Sequence, residues 1–296
     1  MEYRLLGSSD LKVSVIGLGC MSIPNLEEGK AIIHQALDYG VNFFDTADLY
    51  QQGENEKIVG SVLKEKRSEV ILATKVGNQW RADGSGWDWN PSKAYIKTAV
   101  HNSLRRLQTD YIDLYQLHGG TIDDPIDETI EAFEELKAEG SIRHYGISSI
   151  RPNVMREYIQ RSNIVSNMMQ YSLLDRRPEE WALEALNKAG KRVIVRGALA
   201  RGILASKAAI PYLGHEEASV AQLKATLANF SNMQLSSGQI ALHYVLASEA
   251  VATIALGASS AIQLEQSLKG FDASQSLSFL AELKKAIPPH VYQKHR

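Results

Sequence analysis

Eight short apolar segments recur along this chain of 296 residues, and segments with helical spacing separate them. After the fourth apolar segment, for example, Ile126, Ile130, Phe133 and Leu136 form one apolar stripe while the glutamates between them face water. Eight strand-helix units predict an α/β fold in which a parallel sheet closes into a (β/α)8 TIM barrel, with an open doubly wound sheet as the alternative. The predicted strands are residues 13–18, 41–46, 70–75, 111–118, 144–148, 164–170, 192–198 and 251–257.

Two features lie outside this repeat. The first twelve residues predict an N-terminal β-hairpin with Ser8, Ser9 and Asp10 at its turn, which would close the bottom of a barrel. The long gap after the seventh strand predicts two helices, over 221–230 and 238–247, and we expect extra helical structure at the C-terminus as well. No Pro-rich or Ser-rich linker divides the chain, so residues 1–296 are expected to form a single domain.

The composition restricts the partners. With a formal net charge of -2, the chain lacks the excess of Lys and Arg that phosphate backbones require, so we expect no nucleic-acid partner and favour small neutral or weakly polar substrates. A single cysteine cannot form an internal disulfide, and no segment approaches the ~18 apolar residues of a membrane span. We therefore expect a cytoplasmic protein with no membrane partner; the sequence indicates no oligomeric state.

Four titratable residues end strongly apolar segments or follow them. Asp45 ends the second predicted strand, Lys75 the third and His118 the fourth, and Tyr50 lies in the loop after the second. Active sites of such barrels form at the carboxyl ends of the strands, so these side chains are expected to meet at one mouth. Each of them alone is at least as often structural, as a cap, a rim residue or a core histidine, but their joint position favours a functional site.

The chemistry of these four residues is complementary. A tyrosine, whose ordinary pKa is about 10, is a poor proton donor near neutral pH unless a nearby cation stabilises its phenolate. Lys75 would supply that cation, and Asp45 would pair with the ammonium group and limit the cost of burying either charge. His118 would donate a hydrogen bond to a substrate oxygen.

The motifs around these residues resemble the aldo-keto reductase family. They read NFFDTADLY at 42–50, ATK at 73–75 and DLYQLH at 113–118, and their order and spacing match the Asp-Tyr-Lys-His tetrad of that family. The resemblance extends over nearly the whole chain, from RLLG at 4–7 and GLGCM at 17–21 to GAS at 257–259, and it is greatest to bacterial members with short loops.

This resemblance implies an NAD(P)H-dependent enzyme that reduces aldehyde or ketone carbonyls to alcohols. Tyr50 would donate the proton, Asp45 and Lys75 would tune it, and His118 would orient the substrate. By matching positions, Ser148 and Gln170 would hold the nicotinamide carboxamide. The complete set that the resemblance implies for cofactor binding is Gly19, Met21, Asp45, Ser148, Gln170, Arg196, Gly197, Leu199, Arg201, Gly202, Gly257, Ala258, Ser259, Gln263 and Ser267.

Three residues or segments depart from the family pattern. Ser149 stands where many relatives have Asn beside the carboxamide, and Arg196 stands where an aromatic ring commonly stacks on the nicotinamide. Residues 259–267 contain no Lys or Arg, although a 2′-phosphate is usually met by one. The resemblance therefore implies NADP(H), while NAD(H) stays open as the cofactor.

The loop over 77–91 contains Trp80, Trp87 and Trp89, three of the four tryptophans of the chain. Aromatic side chains on a loop beside the site would form an apolar lid that binds substrate, and the glycines at 84 and 86 favour mobility. The alternative is that these rings pack on the rim of the barrel.

Other signals are weaker. The glycines at 17 and 19 begin like a dinucleotide fingerprint, but Ser22 replaces the third glycine, and Cys20 is expected to be a small buried side chain. No spacing of His, Cys or carboxylates predicts a metal site. Two other functions stay open: a cofactor-binding regulatory subunit with slow turnover, and a barrel hydrolase or aldolase that uses Lys75 as a Schiff-base nucleophile.

Overall fold

Eight parallel strands close into a barrel in the computed structural model, which describes residues 1–231 and 235–296. The strands pair in the order of the chain, and the eighth returns to the first with Ile254 opposite Ile16 and Gly257 opposite Gly19. The predicted (β/α)8 TIM barrel is therefore confirmed. The strands are β1 (Ile16–Gly19), β2 (Phe43–Asp45), β3 (Ile71–Val76), β4 (Ile112–Leu117), β5 (Ile142–Ser148), β6 (Ser166–Gln170), β7 (Arg192–Arg196) and β8 (Val251–Gly257).

An antiparallel hairpin precedes the barrel, as expected, and its strands are Tyr3–Leu5 and Lys12–Ser14. The prediction of a first barrel strand beginning at residue 13 is wrong, because Val13 pairs with Arg4 across the hairpin and β1 begins at Ile16. Leu6, Leu11 and Val13 are buried against apolar side chains inside the barrel, so the hairpin closes its amino-terminal end.

Helices surround the strands, and most follow a strand directly. Within its described residues, the loop between β7 and β8 carries the α-helices α7 and α8, which confirms the predicted insertion. None of the described helices has the length and apolar character needed to cross a membrane. The helices are α1 (Leu26–Asp38), α2 (Glu54–Leu63), α3 (Lys93–Leu107), α4 (Ile126–Ala138), α5 (Pro152–Arg161), α6 (Ala182–Lys188), α7 (Glu217–Phe230), α8 (Ser237–Leu246), α9 (Ala261–Leu268) and α10 (Leu280–Leu283).

The segment after β3, which the sequence predicts to be a loop, is instead a second antiparallel hairpin. Its strands are Asn78–Trp80 and Trp87–Trp89, with Trp80 opposite Trp87. An ion pair of 2.6 Å between Arg81 and Asp88 continues the pairing toward the turn. Large aromatic side chains favour strand pairing of this kind, a preference that the loop prediction did not weigh.

Candidate active site

The carboxyl ends of β2, β3 and β4 bring together the four titratable residues that the sequence singles out. Asp45 is the last residue of β2, Lys75 is the penultimate residue of β3, and His118 directly follows β4. Tyr50 begins a short 3-10 turn that follows β2. Adjacent parallel strands place these side chains side by side at one mouth of the barrel, as the sequence predicts.

The turn that carries Tyr50 has a strained backbone. Gln51, Gln52 and Gly53 all have positive φ values, of 50°, 56° and 88°. The φ value of position 53 favours glycine, and a Cβ atom there would also lie 2.7 Å from the Arg106 side chain, which would have to move. Residues other than glycine rarely adopt this region, and such strain is often found at functional sites. The side chain of Gln51 donates a hydrogen bond to the Ile23 carbonyl oxygen and so anchors the turn.

Lys75 is completely buried, and three oxygen atoms surround its ammonium group. The Nζ atom lies 2.6 Å from Oδ2 of Asp45, 2.7 Å from the carbonyl oxygen of Thr46 and 3.3 Å from the hydroxyl of Tyr50. An ammonium group has three N–H donors, so this set satisfies it. Burial acts to lower the pKa of Lys75, but the charge of Asp45 and the Tyr50 hydroxyl outweigh burial and raise it. Lys75 is therefore a permanent cation against the Tyr50 oxygen.

This environment does not suit the Schiff-base alternative. A nucleophilic lysine must lose its proton and reach a substrate, whereas Lys75 has a raised pKa and no exposed surface. The ammonium group also lies 4.9 Å from the centre of the Tyr50 ring. Its position favours a role toward Tyr50 rather than covalent attack.

His118 stands beside Tyr50 as a neutral imidazole. The two rings meet edge-on, with centroids 5.8 Å apart. Burial, and then the positive charges of Lys75 and Arg196, lower the pKa of His118 to about 3. The Nδ1 atom is buried and has no hydrogen-bond partner among the described residues. Burying a polar atom without a partner costs free energy, and such exceptions are often found at functional sites.

A further layer of buried polar residues, to which the sequence analysis gave no role, supports these groups. Gln116 on β4 donates from Nε2 to Oδ1 of Asp45 over 3.1 Å. The fully buried Glu56 accepts hydrogen bonds of 2.6 Å from Thr74 and from Arg106. Burial, and then the charge of Glu56, raise the pKa of Asp48 to about 8. Sequence spacing gave no signal for these partners, because Glu56 and Arg106 are 50 residues apart.

A cavity of about 380 Å³ opens beside His118. His118 is the member of the tetrad that lines it, together with side chains from the loops after β4 and β5 and from the end of β7. Trp87 and Trp89 also line this cavity, whereas Trp80 does not, and their role as a substrate lid stays a prediction. Trp89 donates from Nε1 to Asp124, and its ring fills the space in which a Cβ of Gly77 would lie, so this tryptophan also packs on the rim.

Ser148, Gln170 and Arg196 lie at the ends of three consecutive strands, β5 to β7. Ser148 and Arg196 line the cavity, and the Gln170 Oε1 atom accepts a hydrogen bond of 3.2 Å from Arg196. The Gln170 Nε2 atom donates to the hydroxyl of Tyr212 over 2.9 Å. Tyr212 lies in the loop before α7 and was missed, because nothing in that loop's sequence marks its contact with β6. Ser149 is held by Asn167, which accepts from its amide and donates to its carbonyl oxygen.

The remaining residues implied for cofactor binding continue along the same edge. Gly19 and Gly257 face each other at the ends of β1 and β8, and a Cβ at position 257 would lie 3.5 Å from the Ser22 hydroxyl. Gln263 accepts from the Ser259 amide. That these residues bind a dinucleotide stays a prediction from the resemblance. The other members of the set are Met21 after β1, Gly197, Leu199, Arg201 and Gly202 after β7, Ala258 after β8, and Ser267 on α9.

Two further observations concern metal and thiol chemistry. Within residues 1–231 and 235–296, no group of three or more His, Cys, Asp or Glu side chains could hold a metal ion. Cys20 is buried, as expected, and burial raises the pKa of its thiol. The glycine at 17 belongs to no phosphate loop: a Cβ there would lie 2.6 Å from the Phe43 ring, so close packing explains it.

The fold and this site define a (β/α)8 barrel with a buried lysine against a tyrosine hydroxyl at its mouth, and comparison with known proteins gives the family. The model of the aldo/keto reductase family matches residues 15–288. The chain is 49% identical to the uncharacterized oxidoreductase YqkF of Bacillus subtilis, over 100% of both chains, and 34% identical to the NADH-specific methylglyoxal reductase of Escherichia coli, over 69% of each. It is similar in structure to the holo form of aldo-keto reductase AKR11C1 from Bacillus halodurans, with a TM-score of 0.94, 51% identity and coverage of 100% and 99%.

The chain belongs to the aldo/keto reductase family. It is an oxidoreductase enzyme, and the family uses nicotinamide cofactors. The alternative of a regulatory subunit is not supported, since the relatives are oxidoreductases and all four tetrad residues are present.

Proposed function

We propose that this enzyme reduces the carbonyl group of a small aldehyde or ketone to an alcohol, with Tyr50 as the proton donor. The observation that carries the proposal is the 3.3 Å contact between the Lys75 ammonium and the Tyr50 hydroxyl, in a site where Asp45 and Thr46 hold that ammonium in place. A fixed cation beside a phenol stabilises the negative charge that the phenol acquires when it gives up its proton.

The reduction divides the work between cofactor and protein. When bound, a nicotinamide dinucleotide would supply the hydride that the carbonyl carbon gains. As the carbonyl oxygen gains negative charge, Tyr50 transfers its hydroxyl proton to that oxygen, and the phenolate that remains is stabilised by Lys75. His118, which is neutral because its pKa is about 3, donates a hydrogen bond that orients the same oxygen. Tyr50 then regains a proton from solvent, which closes the cycle.

The residues along β5 to β8 are proposed to hold the cofactor. Ser148 and Gln170 would bind the carboxamide, the residues after β7 the pyrophosphate, and those after β8 the adenosine end. Family resemblance favours NADP(H), and NAD(H) stays open because residues 259–267 contain no Lys or Arg, and because one relative is named as NADH-specific. Trp87 and Trp89 are proposed to contact substrate. The proposed location is cytoplasmic, as the composition favours.

Replacing Tyr50 with Phe tests the proposal. It removes the proton donor and little volume, so reduction of a reactive aldehyde such as 4-nitrobenzaldehyde is expected to fall by about 10²- to 10⁴-fold. NADPH binding, followed by fluorescence titration, should stay within about threefold because the hydroxyl is not needed for it. Tyr3→Phe is the matched control, since Tyr3 bonds Gly40 in the hairpin region at the other end of the barrel. Unchanged turnover in Tyr50→Phe would exclude this residue as the acid.

A further inference from the structure

Of the residues that the structure describes, two arginines and no carboxylate line the cavity beside His118. Arg151 lies at the start of α5 and Arg196 at the end of β7, and Ser148 and Met168 line the same cavity. The overall charge of the chain is slightly negative, so this local excess of positive charge runs against the composition. The positive charge at the cavity also argues against the expectation of neutral substrates, which was based on the composition alone.

Neither arginine has an acidic partner among the described residues. Arg151 is half-buried and donates from Nη1 to the carbonyl oxygen of Gly120 over 2.5 Å. Arg196 is exposed and donates to the amide oxygen of Gln170. A guanidinium group has five N–H donors, so each side chain keeps most of its donors free for another group.

Two other arginines show the contrast, because a buried carboxylate neutralises each of them. Arg106 pairs with the buried Glu56 and Arg177 with the buried Asp175, each through a contact of 2.6 to 2.7 Å. Asp45, the one carboxylate of the tetrad, forms an ion pair with Lys75. Among the described residues, the two cations at the cavity therefore have no acidic partner, and a surface with charge of one sign attracts ligands of the opposite sign. The planar guanidinium is well matched to carboxylate and phosphate oxygens.

We propose that the preferred substrates are carbonyl compounds that carry an anionic oxygen group, a carboxylate or a phosphate, which Arg151 and Arg196 bind while the carbonyl faces Tyr50 and His118. This inference rests on the proposed function, since it names the substrate class of the same site. The cavity of about 380 Å³ is also lined by Ser148, which is proposed to bind the nicotinamide, so the space that remains limits such substrates to short chains.

Matched substrate pairs test this inference. Succinate semialdehyde is compared with butanal, and glyceraldehyde 3-phosphate with glyceraldehyde, because each pair differs mainly in the anionic group. The quantity measured is the ratio of kcat/KM for the anionic member to kcat/KM for the neutral member. One charge-assisted contact changes such a ratio by about 10- to 100-fold, so the wild-type ratio should exceed about ten in at least one pair.

Variants then assign the effect to the two arginines. Arg151→Gln and Arg196→Gln should each lower the ratio by about tenfold or more, and using a ratio cancels any effect of Arg196 on cofactor binding. Arg143→Gln removes the same charge near the amino end of β5, where Arg143 faces Asp113, and should leave the ratio unchanged. A preference for carboxylate or for phosphate identifies which anion the site takes.

The outcomes separate this inference from the proposed function. Ratios near one in both pairs, with the neutral aldehydes reduced, would overturn the inference and leave carbonyl reduction intact. A high ratio that neither Arg151→Gln nor Arg196→Gln lowers would overturn it as well. Failure to reduce any member of either pair would count against the proposed function itself.

Discussion

At the amino-terminal end of the barrel, Leu6, Leu11 and Val13 cover the strands with apolar side chains, whereas at the carboxyl end Asp45, Lys75 and His118 bring polar groups into the interior. The same eight strands support both ends. The difference lies in the residues just beyond the strands: the hairpin buries apolar surface and contributes stability, while the loops at the other end hold charge, backbone strain and unpartnered polar atoms. The amino-terminal end of the barrel thus contributes stability, and the carboxyl end holds the candidate active site.

Two buried lysines give the largest expected contrast. Lys75→Met removes the cation beside Tyr50, so kcat is expected to fall by about 10²- to 10⁴-fold in steady-state aldehyde reduction. Lys191 is the control at the amino end of β7, where its ammonium donates to the carbonyl oxygens of Ser162 and Ile164. Lys191→Met should lower the melting temperature without changing kcat by more than about twofold. Equal losses of kcat in Lys75→Met and Lys191→Met would contradict the proposal that the two ends of the barrel have different roles.

Leu6→Ala should affect stability instead of turnover. Leu6 is fully buried under the barrel, so its truncation leaves a cavity and is expected to lower the free energy of unfolding by about 2 to 5 kcal/mol in urea titrations. The neighbouring Leu5 is 56% exposed, and Leu5→Ala should change that free energy by less than about 0.5 kcal/mol. A large loss of kcat in folded Leu6→Ala protein would show that the two ends are coupled.

The histidine at the polar end should destabilise the protein in acid. The folded state lowers the pKa of His118 from 6.5 to about 3, so between these values the unfolded chain binds more protons at this residue than the folded chain does. The resulting loss of unfolding free energy begins as the pH falls through about 6.5 and reaches about 2 kcal/mol at pH 5. His118→Gln should lack this loss, and His34→Gln, at an exposed position of α1, should retain it. Parallel pH curves for wild type and His118→Gln would contradict the assignment.

The smallest expected effect comes from relieving backbone strain at two glutamines, one at each of two sites in the fold. Gln52 after β2 and Gln108 at the end of α3 share left-handed conformations, with φ values of 56° and 54°. Glycine tolerates this region, so Gln52→Gly and Gln108→Gly should each raise the free energy of unfolding by up to about 1 kcal/mol. Only Gln52→Gly is expected to change kcat, because it loosens the turn that positions Tyr50. An equal effect on kcat at both positions would show that the strain has no functional role.

The sequence predicted the parts of this structure that local pattern determines. Apolar segments located the strands, and a charged or polar residue at the close of an apolar segment located Asp45, Lys75 and His118, since burial there needs a partner or a function. The start of the first strand was misplaced because Val13 is apolar in either setting, and its pairing with Arg4 depends on a turn between them.

Contacts between distant segments were not predictable in this way. The hydrogen bond between Gln170 and Tyr212 joins residues that are 42 apart in sequence. The ion pair between Glu56 and Arg106 joins residues that are 50 apart. Neither pair follows a helical or strand period, so only the closed fold brings its members together. The sequence analysis did not predict the positive charge at the cavity. Arg151 and Arg196 are far apart in sequence, and only the three-dimensional structure shows that neither has an acidic partner among the described residues.

A double-mutant cycle tests most directly whether Tyr50 and Lys75 act as one unit. Single-turnover rates of aldehyde reduction, with NADPH at saturation, are measured for wild type, Tyr50→Phe, Lys75→Met and the double variant. If Lys75 acts through the Tyr50 oxygen, the double variant should be no slower than Tyr50→Phe alone, to within about threefold. Losses that multiply in the double variant would show that the two residues contribute independently, and would contradict this account of the site.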